Sequence, residues 1–132
     1  ITFGAWTANT AGAPQACQGF PLCNGQLLPA SAPQVHIHWF HRLLAFALLA
    51  HVVIVVLRAG AAVPQPMRRA GQLALVAVSA QVAVAAGLVL MHLPDSFKAL
   101  HLAVGAAVWA TLIVWALFAR RLQNDGAVGL TS

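Results

Sequence analysis

Three long apolar runs dominate the sequence, at 36–58, 70–92 and 98–119, and short polar clusters separate them. Each run holds about 22 residues, roughly 33 Å as a helix, which is enough to cross the hydrocarbon core of a bilayer. Between the first two runs stand Gly60, Pro64, Pro66 and Arg68-Arg69. Between the second and third lies Leu93-Pro94-Asp95-Ser96-Phe97, where Pro94 and Asp95 suit a helix stop and the next N-cap. Residues 9–35 are of another kind. Pro14, Gly19, Pro21, Asn24, Gly25, Pro29 and Pro33 preclude a continuous helix there, so this stretch is expected to be a loop outside the bilayer. Residues 1–8 are apolar but too short to span, and are read as the end of a truncated helix belonging to a longer chain. Residues 120–132 are read as a polar cytoplasmic tail that frays. The pattern predicts an all-α membrane protein: a transmembrane helical bundle with three complete spans plus the end of a truncated fourth.

Composition supports the membrane assignment. The 132 residues are 61% hydrophobic and 7% charged, with a mean hydropathy of +0.82, which leaves no charged shell for a soluble domain. The net charge of +5 does not indicate nucleic acid, because no basic stripe interleaved with aromatics exists. The basic residues sit at the ends of apolar runs. If the spans alternate, Arg58, Arg68, Arg69, Arg120 and Arg121 share one side, which the positive-inside rule makes cytoplasmic. The opposite side carries Asp95, Lys98 and the loop that holds both cysteines. Ser79, Ala83 and Gly87, four residues apart, form a small-residue ridge fit for close helix packing, unless they merely reflect alanine-rich composition.

Cys17 and Cys23 are close in sequence, with Pro21 stiffening the segment between them. On an oxidising side a disulfide is the favoured reading; two free thiols or half of a metal site are the alternatives. Ionisable groups inside spans are costly and point to function by default, which directs attention to the histidines. His41 lies ~7 Å inside the outer end of its run and His101 ~5 Å inside the same end, at 1.5 Å per residue. His51 lies ~15 Å deeper than His41 and cannot share a metal with His101. One turn inward from His41 is Ala45, and one turn inward from His101 is Gly105, small residues expected to leave space for the edge of a flat macrocycle. Haem iron needs two protein ligands, whereas zinc wants three or four with oxygen or sulfur help, and the spans contain no Cys, Asp or Glu. His41 and His101 are therefore the expected axial pair of a haem. His36, His51 and His92 are read as histidines bonded to neighbours or facing water. His38 lies one turn outward of His41 and is the candidate, if any, for contact with a substrate or haem edge. Arg42 is expected either to pair with a haem propionate or to reach the outer headgroups.

The run Cys17-Gln18-Gly19-Phe20-Pro21-Leu22-Cys23-Asn24-Gly25-Gln26, then His38-Trp39-Phe40-His41-Arg42-Leu43-Leu44-Ala45, then His92-Leu93-Pro94, then Leu100-His101-Leu102-Ala103 resembles the haem A synthase family. The resemblance covers nearly the whole chain. It implies one half of a protein built from two four-helix bundles, each with a histidine pair near the outer face of a bacterial plasma membrane. One half holds haem b; the other oxidises a methyl group of haem O to the formyl group of haem A. It makes His41 and His101 the axial pair and Cys17–Cys23 the disulfide of the outer loop, and Gln81 falls where such a half often has Gln. Where the catalytic half typically has Glu, this chain has His38, and where that half often has a basic residue this chain has Thr7-Ala8-Asn9. Both differences favour the haem b-binding, C-terminal half. The implied partners are haem, the other bundle half or another subunit, an electron donor and the bilayer. Two further readings stand beside this one: a plain membrane haem-b electron-transfer or carrier protein, and a metal-free scaffold whose histidines bond only to neighbouring helices.

Overall fold

The computed structural model describes residues 2–29, 32–60 and 63–128. It contains four α-helices in the order α1 (Thr2–Asn9), α2 (Pro33–Ala59), α3 (Gln65–Leu90) and α4 (Asp95–Val128), and no strands among the described residues. Three of them, α2, α3 and α4, are long and apolar enough to cross a membrane, so the protein is a multi-pass membrane protein. Their bounds differ from the apolar runs for physical reasons. α2 begins three residues earlier than the first run because Pro33 occupies its first turn, where a missing N–H is harmless. α3 begins at Gln65, with Pro66 in the same role. α4 does not stop at Arg120-Arg121. Arg, Leu and Gln are good helix formers, and the helix continues to Val128. The expected fraying tail is thus helical through 128, and 129–132 lie outside the described residues.

Each helix end has a visible cause. α2 stops at Gly60, whose φ of +50° only glycine adopts cheaply. α4 starts after Pro94, whose carbonyl accepts from the N–H groups of Phe97 and Lys98. Asp95 lies in the first turn of α4, where the helix dipole favours an anion, and it also accepts from Lys98 Nζ at 2.9 Å.

The helices lie in chain order: α1 against α2, α2 against α3, α3 against α4. No Cα of α2 comes within 8 Å of one of α4. Val52, Val78 and Val108 meet in the middle to form the core, flanked by Leu49, Val56, Leu75, Leu112 and Trp115. The face that α3 turns inward is Ala70, Gly71, Ala74 and Val78. Ser79 and Ala83 of the expected ridge are exposed, so that ridge is not the main packing surface. Its third member, Gly87, does face a neighbour: a Cβ there would stand 2.6 Å from Phe97 Cε1. At the other end of α3, a Cβ on Gly71 would stand 3.0 Å from Trp115 Cε2. Two glycines thus let α3 and α4 close on aromatic rings at both ends of their contact.

Candidate functional site

The cysteine loop sits over the N-terminal end of α2. Cys17 and Cys23 form a disulfide, and both are buried. Asn24 braces the ring from within. Its Oδ1 accepts from the Gln18 backbone N–H at 2.9 Å and its Nδ2 donates to the Ala16 carbonyl at 3.0 Å. Cys23 and Gln26 exchange backbone hydrogen bonds, and Trp39 Nε1 donates to the Leu27 carbonyl at 2.7 Å.

Two polar residues of α2, one turn apart, hold this loop. His38 is buried, and its Nδ1 lies 2.9 Å from the Ala13 carbonyl. A carbonyl only accepts, so Nδ1 carries the proton and Nε2 of the neutral ring is left as an acceptor. Arg42 is 8% exposed, and its guanidinium donates to three loop carbonyls: Gly19 at 2.8 Å, Leu22 at 2.9 Å and Cys17 at 2.8 Å. Its carbon centre also lies 5.9 Å from the centroid of the Phe20 ring. The expected alternatives for Arg42 were a propionate or lipid headgroups; the structure turns it to the loop instead. The reason is local. The loop carbonyls have no helical partners, and a cation shielded from water needs acceptors. Three of five guanidinium N–H donors are used there, which leaves two for another acceptor.

His41 is half-buried and turns away from the loop toward α1. A Cβ on Gly4 would come within 3.3 Å of His41 Cε1, so the absent side chain makes room for the ring. His101, near the start of α4, is also half-buried. The two rings belong to α2 and α4, whose backbones stay more than 8 Å apart at every Cα pair. Among the described residues no group of three or more His, Cys, Asp or Glu gathers that could hold a metal ion. The donor set here is two imidazoles, which suits a metal already held by a macrocycle.

Gln81 of α3 is the residue that sequence reasoning underused. Its Nε2 lies 3.2 Å from Nδ1 and 3.1 Å from Nε2 of His101. Its Oε1 is shielded from solvent and has no partner among the described residues. A Cβ on Gly105 would stand 3.4 Å from Gln81 Nε2, so the gap beside His101 that was expected to accept a macrocycle edge holds the Gln81 amide instead. The available signal was an amide midway along an apolar run, a costly group that needs a partner at its own depth. His36, His51 and His92 are exposed, and their rings make no hydrogen bond among the described residues; His92 lies in the α3–α4 turn.

The model of the COX15-CtaA family, described as cytochrome oxidase assembly protein, matches residues 1–113. A protoheme IX farnesyltransferase of Halobacterium salinarum strain NRC-1 is 33% identical over 124 residues, covering 91% of this chain and 28% of that protein. Its counterpart in strain R1 is likewise 33% identical, with 27% of that protein covered. A heme A synthase of Alkalihalophilus pseudofirmus is 45% identical over 42 residues, 32% of this chain and 14% of that protein. The chain therefore spans less than a third of the length of these curated relatives. No solved structure matches.

Proposed function

The chain belongs to the COX15-CtaA family of cytochrome oxidase assembly proteins, and from that premise we propose that it is the haem b-binding half of a haem A synthase-like membrane oxidoreductase. In this reading His41 and His101 are the axial ligands, and the whole protein oxidises the methyl group of haem O to the formyl group of haem A. The observation that carries it is two half-buried imidazoles, one near the loop-side end of α2 and one near the start of α4, in apolar runs (36–58 and 98–119) that contain no carboxylate or thiol. Such a pair can ligate haem iron from two sides, and the bound haem would supply a one-electron couple tuned by its ligands and burial.

The chain's own residues have separable duties. His41 and His101 hold the iron. Arg42 and His38 fix the disulfide loop over that end of the bundle, limiting water's access to it. In this reading the two remaining donors of Arg42 are available to a haem propionate. The loop faces the periplasm, and the arginine-rich ends face the cytoplasm of a bacterial inner membrane.

Prenyl transfer, the activity in the name of the Halobacterium relatives, finds little support in this segment. Ionising an allylic diphosphate calls for carboxylates that hold a divalent cation. The chain has two acidic residues, Asp95 and Asp125, and Asp95 is exposed and paired with Lys98.

The test is an absorption spectrum of the purified chain after expression with ample haem. A low-spin haem b spectrum is expected. His41→Ala and His101→Ala should each lose or convert it, while His51→Ala leaves it intact. A haem-free wild-type preparation, or equal loss in His51→Ala, overturns the reading. Supplying haem O to the complete protein and finding neither hydroxylated nor formyl product by mass spectrometry would favour a simple electron-transfer role.

A further inference from the structure

The Gln81 amide is positioned in an unusual way. Its Nε2 sits almost equally far from both nitrogens of His101, at 3.2 and 3.1 Å, so it lies over the ring rather than in line with the in-plane lone pair or N–H of either nitrogen. Its Oε1 is buried and unpartnered among the described residues. A buried amide oxygen without a donor is costly. In a neutral imidazole one nitrogen accepts and the other donates. A half-turn of the amide exchanges Oε1 with Nε2 and leaves the other heavy atoms where they are. A rotation of the imidazole about its own side-chain bond then brings a ring N–H into line with Oε1. Gly105 makes this possible, because the amide lies against its bare Cα.

Iron takes the lone pair of one ring nitrogen, and the other then carries the proton and needs an acceptor. Metal-bound histidines nearly always have one, and it fixes both tautomer and ring orientation. We infer that Gln81 is the positioning residue of His101, its Oε1 accepting the proton on the ring nitrogen that the iron does not take. This rests on the assignment of His101 as an axial ligand. No other residue is recorded as a hydrogen-bond partner of that ring among the described residues. Accepting this proton makes the imidazole a stronger donor to iron and stabilises the ferric state.

The experiment compares Gln81→Leu, Gln81→Glu and His101→Ala in the full chain, purified with haem. Helix content by circular dichroism confirms that each variant is folded. The readouts are the haem midpoint potential and the rate of haem transfer to an excess of apomyoglobin. Gln81→Leu removes the acceptor. Its potential should rise, and haem retention should weaken by about ten- to a hundred-fold. Gln81→Glu keeps an acceptor oxygen at the same reach, and should return the potential to the starting value or below it. If both variants match the wild type in potential and retention, Gln81 does not position the ligand. If His101→Ala retains the wild-type low-spin spectrum, the ligand assignment itself fails, whatever Gln81 does. A rise in Gln81→Leu without recovery in Gln81→Glu also overturns the inference, since it would trace the shift to packing rather than to an acceptor.

Discussion

At the scale of single residues, the polar side chains of α2 divide by direction. His38 and Arg42, one turn apart, point to the loop; His41, between them, points to α1. Sequence spacing cannot separate these roles. The loop partners lie up to 25 residues away, and nothing local marks them. What the sequence does contain is an i, i+4 polar pair in phase with Ala45, Leu49 and Val52, the face turned inward. If that pair fastens the loop, Arg42→Ala should destabilise the docked loop by about 2 kcal/mol, the scale of a charged hydrogen bond. His38→Ala should cost about 1 kcal/mol, as a neutral bond would. The disulfide reports both. A reductant that cannot cross membranes should open Cys17–Cys23 about 30-fold faster in Arg42→Ala, at tenfold per 1.4 kcal/mol. The haem spectrum should persist in both variants, since neither residue ligates iron in this reading. An unchanged reduction rate would remove the fastening role.

At the scale of helices, existence was legible and facing was not. Apolar runs of membrane length, punctuated by Pro and Gly, give three long helices to within a few residues at most ends. The exception, the end of α4, carries no breaker between Arg120 and Asn124 to stop it. Facing is hidden because lipid is as apolar as a bundle core, so no hydrophobic contrast marks the inner side of α3. The ridge read at Ser79, Ala83 and Gly87 mostly points outward, whereas Gly71 meets Trp115 and the Ala70–Val78 face meets the core. The two faces make opposite predictions. Gly71→Leu places a branched chain where even a Cβ is 3.0 Å from the indole, and should lower stability by about 1–3 kcal/mol. Ser79→Leu and Ala83→Leu, on the exposed face, should change stability by less than about 0.5 kcal/mol. Thermal unfolding in detergent, followed by tryptophan fluorescence, measures all three. Equal effects would mean that the Ser79 face is covered in the intact protein.

For the molecule as a whole, charge and covalent chemistry fall at opposite ends. The chain has seven Lys and Arg residues. Arg58, Arg68, Arg69, Arg120 and Arg121 lie toward one end, where Gln65, Arg69 and Leu73 of α3 share a groove with Thr111, Val114 and Phe118 of α4. The disulfide loop lies at the other, with Pro14, Cys17 and Gln18 against Val89, His92 and Leu93. The two remaining cations are at that end, and each is engaged: Arg42 by three carbonyls, Lys98 by Asp95. The Lys98–Asp95 pair is exposed, so it adds little stability, but it does cancel a charge. Five of the seven cations therefore lie toward the end away from the disulfide, in line with the positive-inside rule. A reporter fused after Ser132 in the intact protein decides it. With the arginine end cytoplasmic, as proposed, green fluorescent protein should fluoresce there and alkaline phosphatase should stay inactive. The wild-type disulfide should in turn be reached by an impermeant reductant in intact spheroplasts. Active phosphatase, together with a disulfide protected until the membrane is breached, would invert the topology and place the histidine pair near the cytoplasmic face.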